Sequence, residues 1–137
     1  MKSEKLKAEI LEKKRLALAA QTLMKETVAR VLEKEGENGL LITKAYYGKL
    51  DENSSSSNLD ESKQINVRIP LQFLVQDHSL QILGENTKSN LEGFYDPCIG
   101  ETKRLYVEYR FNGEEYKAEF EDNSPVRLPK STHKLSW

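Results

Sequence analysis

Cysteine occurs once in this sequence, at Cys98, so no disulfide can close within the chain. That fits a reducing compartment. Histidine occurs only at His78 and His133, which leaves few of the ligands from which a zinc-type site is built. Asp96 and Cys98 lie close together but have no second ligand cluster to complete such a site. There is no GxxxxGK[ST] or GxGxxG stretch, hence no phosphate cradle, and no cofactor is expected. The longest purely apolar run, Leu16 to Ala20, is far short of the roughly 20 residues a membrane-spanning helix needs. The basic start leads into charged residues instead of an apolar segment, and six Glu fall within the first 35 residues. Neither a secretory signal nor an acid-poor transit peptide reads that way. Net charge is also lacking: 21 Lys and Arg face 22 Asp and Glu, for a formal charge of -1.

What is present is polar: 37% of the residues are apolar and 31% charged, and 137 residues support one domain plus an appendage. Residues 1–36 carry nine Lys and Arg against six Glu, a net of +3, and the remainder carries -4. From Lys2 to Glu35 the chain holds neither Gly nor Pro and is rich in Lys, Glu, Leu and Ala, which predicts one helix stopped by Gly36. At 1.5 Å per residue it would be about 50 Å long, more than a domain this size covers. A heptad frame with Ile10, Ala17, Met24 and Val31 at a places Lys13 at d, so the coiled-coil seam is weak and counts against a tight self-dimer. The C-terminal half (Leu23, Met24, Val28, Val31) is expected to pack on the domain.

After Gly36 the apolar period becomes two. Gly39 to Leu50 reads as a central strand, apolar on both faces. Residues 51–63, with four consecutive serines, read as a flexible polar loop. The alternation of Ile65, Val67, Ile69, Leu71 and Phe73 predicts a half-buried strand, pushed to an edge or a bulge by Pro70. A turn at Asp77 to Ser79 leads into a short strand, Leu80 to Leu83. Residues 84–103 read as a long ordered connection. Asn112-Gly113 is a type I′ hairpin signal. With those two as the loop, Leu105 faces Phe120, Val107 faces Ala118 and Tyr109 faces Tyr116, while Arg104–Glu121, Glu108–Lys117 and Arg110–Glu115 pair on the other side. Val126 to Pro129 forms a last short strand, and the end from Lys130 to Trp137 is expected to be loose.

The chemistry-bearing residues are few. Cys98 with His78 or His133 would be a nucleophile pair if the fold joined them; otherwise Cys98 is a packing residue and both histidines are exposed. Nothing in the sequence around Cys98 lowers its pKa. Nucleic-acid binding is not expected, because the part after Gly36 is acidic and its hairpin pairs its own basic residues with acids. Tyr106 alone among the hairpin tyrosines lies on the charged outward face, where it either marks a contact surface or packs under Lys and Arg stems.

Four segments, AYYGK from Ala45, VRIPLQFLV from Val67, GFYDPCIGE from Gly93 and RLPKSTHK from Arg127, resemble in that order the C-terminal domain of the eukaryotic subfamily C J-domain (DnaJ-like) proteins associated with the mitochondrial cristae-organising machinery. GFYDPC is the specific part. The resemblance implies a C-terminal segment without the Hsp70-stimulating J-domain, and no His-Pro-Asp occurs here: Ser79 follows His78 and Lys134 follows His133. That family domain has no assigned activity, so the likeness carries over no catalytic residue. The serine-rich stretch exceeds the family's usual loop and takes no role.

The expectation is therefore an α+β chain. An amphipathic helix, 1–36, with coiled-coil character leads into a small antiparallel β-sandwich or twisted sheet of five to six strands, 37–134, followed by a tail, 135–137. It is expected to be a non-enzymatic protein-interaction or scaffold module of a DnaJ-type co-chaperone, touching partners through Phe94, Tyr95, Asp96, Pro97 and Tyr106. The resemblance implies an intracellular, mitochondrion-associated chain with a membrane-organising complex as partner, cytosol and nucleus remaining open. Hsp70 would be reached only through a J-domain elsewhere. Two other readings stand beside it. One is a small ligand-binding or enzymatic domain using Cys98. The other is a membrane-surface adaptor through the basic helix, against which Glu4, Glu9 and Glu12 count by interrupting the basic run.

Overall fold

Helix α1 runs unbroken over Lys2–Glu35 in the computed structural model, which describes residues 2–50 and 63–135. It ends where Gly36 takes a left-handed φ of 69° and donates its N–H to Leu32 O, a turn that costs glycine no Cβ clash. The α+β fold continues as β1 (Leu40–Gly48), β2 (Gln64–Asn66), α2 (Arg68–Leu74), β3 (Leu80–Ile82), β4 (Arg104–Phe111), β5 (Glu114–Glu121) and β6 (Val126–Leu128). Four strands form an antiparallel sheet in the order β2-β1-β4-β5, and β3 pairs with β6 in a separate ribbon. β1 is central, as its two apolar faces predict. The serine-rich loop expected at 51–63 falls, except for Lys63, outside the described residues.

The β4–β5 hairpin adopts the expected register throughout, from Arg104 opposite Glu121 to Arg110 opposite Glu115. Asn112 and Gly113 have φ of 54° and 79°, as a type I′ turn requires. Leu105, Val107 and Tyr109 are buried with Leu40, Ala45 and Tyr47 in one core, closed by Leu71, Leu80, Val126 and Leu128.

Three expectations are corrected. The strand expected across 65–73 stops at Asn66, and the rest is α2. Val67, Leu71 and Val75, one helical turn apart, are buried together with Pro70 and Gln72, a spacing that the alternation concealed. Pro70 sits in the first turn, where its missing N–H costs nothing. The chain turns away from the sheet after one more backbone bond, and the Gln72 side chain replaces the strand that would have continued along β1. Val67 N–H donates to Ala45 O, Gln72 Oε1 accepts Ile42 N–H at 2.7 Å and Gln72 Nε2 donates to Leu40 O at 3.1 Å. Second, Leu23 is 83% exposed. Met24, Val28 and Val31 pack as expected, joined by Ile10, Ala17 and Gln21, with Glu35 buried at the helix end. Third, residues 130–135 are held in place. His133 Nδ1 lies 2.7 Å from the buried Tyr109 hydroxyl, Lys130 N–H donates to the same oxygen, and Leu135 N–H donates to Glu115 O at the margin of β5. That hydroxyl needs partners once buried, and the tail supplies them.

Glu35 fastens the end of α1 both to β1 and to the turn before β3. Its Oε1 accepts Leu40 N–H at 2.8 Å and lies 2.9 Å from His78 Nδ1, while Oε2 accepts His78 N–H at 3.2 Å. His78 and Asp77 both have positive φ, so one carboxylate clamps a turn that neither residue favours. Burial raises the Glu35 pKa, but the Leu40 amide and both His78 contacts outweigh it and hold the group below the usual carboxylate range. A depressed carboxylate contributes stability above its unfolded pKa and loses it as pH falls through the folded value. The wild type is thus expected to weaken steadily in urea below about pH 4.5. Glu35→Gln should be less stable at neutral pH by about 1–2 kcal/mol, with a flatter acid limb. Parallel acid limbs would show that Glu35 is not the group responsible.

Candidate functional site

The segment 87–96 crosses from the β3–β6 ribbon to α1, and a buried lysine holds its start. Lys88 opens a short 3-10 turn, and its side chain is 2% exposed. Its ammonium donates to Glu121 O, Asp122 O and Ser124 O at 2.7, 2.8 and 2.8 Å, using all three protons. The Asp122 carboxylate answers from the other side, accepting from Lys88 N–H, the Thr87 hydroxyl and the Tyr47 hydroxyl at 2.9, 2.6 and 2.6 Å. Burial raises the Asp122 pKa, but the Thr87 and Tyr47 hydroxyls and the Lys88 amide together bring it below the ordinary value. Burial and the adjoining carboxylate push the Tyr47 phenol upward, so it stays a donor.

The far end of the segment is fastened by Gln21 of α1. Its amide donates to Asn66 O and Gly93 O, both at 2.9 Å. Gly93 has φ of 85°, and a Cβ there would stand 3.0 Å from Pro70 and 3.4 Å from Gln21. Only glycine fits between helix and proline.

Between these two fastenings lies an open groove of about 640 Å³. Lys13, Leu16, Ala17 and Ala20 of α1 form one wall, and Leu91 and Glu92 stand on the other. Leu16 is 54% exposed there, and Leu23 lies two turns further along the same side of the helix. Phe94, Tyr95 and Asp96 reach its floor, beside Lys103 and Asp122.

The expected contact residues are thus divided. Phe94 and Tyr95 are buried; Phe94 packs edge-on against Tyr47 with ring centroids 5.3 Å apart. Asp96 is partly exposed, accepts Cys98 N–H and pairs with Lys103 at 3.2 Å. Pro97 is buried against Gly48, where a Cβ would come 2.9 Å from its ring. Tyr106 lies on the opposite face of the sheet, half-buried under Lys117, with its hydroxyl donating to Glu108 at 2.8 Å. It therefore packs beneath a lysine stem and does not join the groove. Cys98 is buried, and burial followed by the Asp96 charge pushes its thiol pKa up. Neither histidine pairs with it: His78 is bonded to Glu35 and His133 to Tyr109. Among the described residues no group of three or more His, Cys, Asp and Glu could hold a metal ion.

Sequence reasoning did not find Gln21, Lys88 or Asp122. A lysine or aspartate in a polar loop reads as solvated surface, and their partners lie 33 and 75 positions away in sequence.

Residues 1–129 match a family model described as DnaJ-like protein C11, C-terminal. DnaJ homolog subfamily C member 11 of Mus musculus is 44% identical over 133 residues, 96% of this chain and 23% of that protein. The protein of the same name in Bos taurus is also 44% identical over 133 residues, with the same coverage. The Dictyostelium discoideum homolog is 39% identical over 134 residues, covering 95% of this chain and 23% of the relative. The chain thus spans under a quarter of the length of these relatives. No solved structure matches significantly.

Proposed function

This chain belongs to the DnaJ-like protein C11 C-terminal family, and on that premise we propose that it is the protein-docking module of a DnaJ-type co-chaperone, without catalytic activity of its own. The groove between α1 and residues 87–96 carries the reading. It presents an exposed leucine and small alanines on one wall, Leu91 and Glu92 on the other, and a floor where Phe94 and Tyr95 meet Asp96, and the segment 87–96 is fastened by hydrogen bonds at both ends. Such a surface accepts an apolar segment of another polypeptide. In this reading Phe94 and Tyr95 act from below as the packed base that sets the position of Glu92, Asp96 and Ile99, and Pro97 does the same for the turn after it. The buried Cys98 thiol supports packing over nucleophilic chemistry.

We further propose that the partner is the mitochondrial membrane-organising complex and that the chain is mitochondrion-associated, on the strength of the family likeness. Hsp70 contact would fall to a J-domain outside this chain. Because α1 supplies part of the core, deleting residues 1–36 would unfold the domain, so point changes are the better test. Leu16→Asp combined with Leu23→Asp is expected to abolish recovery of that complex from mitochondrial extract while leaving circular dichroism unchanged. Equal recovery by both forms, or recovery by neither, overturns the reading.

A further inference from the structure

α1 has a second exposed face that the groove does not use. Successive helical residues turn by about 100°, so Lys7, Leu11, Lys14, Leu18 and Lys25 fall within about 60° of one another. All five are exposed, Leu11 at 66% and Leu18 at 45%. Of the acids that interrupt the basic run when the sequence is read as a line, Glu9 and Glu12 lie about 140° or more around the helix from the centre of this stripe. Glu4 stands just before its N-terminal end. Glu12 is tied to Arg15, and Glu26 to Arg30. From Lys7 to Lys25 the stripe therefore carries no acid, and it sits about a quarter turn from the face packed on the domain.

We propose that this stripe lays α1 along an anionic lipid surface, with Leu11 and Leu18 dipping between headgroups and Lys7, Lys14 and Lys25 pairing with phosphates or carboxylates. The spacing separates a bilayer from a partner helix as the occupant. Every second position of the seam is a lysine, and a helix packed on it would have to dehydrate three ammonium groups. At a bilayer surface the lysine stems lie flat while their ammoniums reach the headgroups, so alternation of Lys and Leu is accommodated. No helix among the described residues is long and apolar enough to cross a membrane, so the contact is peripheral. The remainder of the chain, with a net charge of -4, is repelled by the same surface and is held off it.

Co-sedimentation of the whole chain with phosphatidylcholine vesicles, with and without phosphatidylserine, tests this. Binding is expected only to the anionic vesicles and is lost at high salt. Lys7→Gln, Lys14→Gln and Lys25→Gln together should weaken it by at least about tenfold. The corresponding Lys→Arg triple should keep it, and Leu11→Gln with Leu18→Gln should reduce it. Leu16→Gln with Leu23→Gln, on the groove side, should leave it unchanged, so this proposal and the docking reading fail separately. All five stripe positions are exposed, and circular dichroism confirms folding in each variant. Absence of wild-type binding, binding undiminished in the Lys→Gln triple, or capture by polyglutamate without capture by anionic vesicles each overturns the proposal.

Discussion

Replacing Gln72 by leucine is expected to remove about 2–5 kcal/mol from the stability of the fold. The size of the side chain hardly changes, so the loss is polar. Gln72 is fully buried, and its amide is what satisfies Ile42 N–H and Leu40 O on the margin of β1 that β2 does not reach. Leucine strands both backbone groups away from water, each at about 1–3 kcal/mol. Urea unfolding measures the total, and amide exchange at Ile42 locates it. The exchange rate should rise more there than at Val107, which lies between strands on both sides. A Gln72→Leu protein as stable as the wild type would mean that water or a shifted backbone has taken over the two bonds.

Lys88→Met is expected to have an effect of similar size, about 3–5 kcal/mol, by the reverse route. Methionine keeps the length and packing of the lysine stem but withdraws the cation. Three carbonyls then lose their donor, and the half-buried Asp122 carboxylate beside them loses one of the cations whose charge it shares. The cost follows from breaking the arrangement, since a buried charge cluster that is complete adds little over an apolar one of the same shape. The damage should extend beyond stability. The same cluster anchors the start of segment 87–96, so Lys88→Met should also relax the groove and slow partner recovery before the domain unfolds. A change below about 1 kcal/mol in urea would show that the ammonium merely occupies its cage.

These two residues also show where reading the sequence reached its limit. The β4–β5 hairpin could be written down to the individual pair, because its constraints are local. One Asn-Gly turn fixes the sum of partner positions, and three apolar and three opposite-charge pairs then agree on it. The extent of α1 was equally plain from its composition and Gly36. The buried side of α1 was legible through Met24, Val28 and Val31, but not at its edges, where Leu23 and Gln21 exchange the roles their polarity predicts. The glutamine goes inward because two carbonyls, Asn66 O and Gly93 O, wait there, and neither is visible from α1 alone. The stretch from Val67 to Val75 satisfies both a period of two and a period near four. What decides between them is a long-range bond from Gln72 to β1. For the groove, the sequence pointed to a loop that reaches its floor, but to that loop's buried rings instead of its rim. GFYDPC is a distinctive string because Gly93, Phe94, Tyr95 and Pro97 must pack, and packing leaves little of them for a partner to touch.

The margin of β5 has a further consequence. The tail closes it at Glu115 and Tyr116, and Lys88 takes the carbonyl of Glu121. Between those points Lys117 and Glu119 face solvent. A strand from another molecule seeking to extend the sheet there would meet a stretch only a few residues long and would have to strip water from charges of both signs to gain it. At this margin of the sheet, a neighbour must therefore be chosen by side chains instead of by bare backbone.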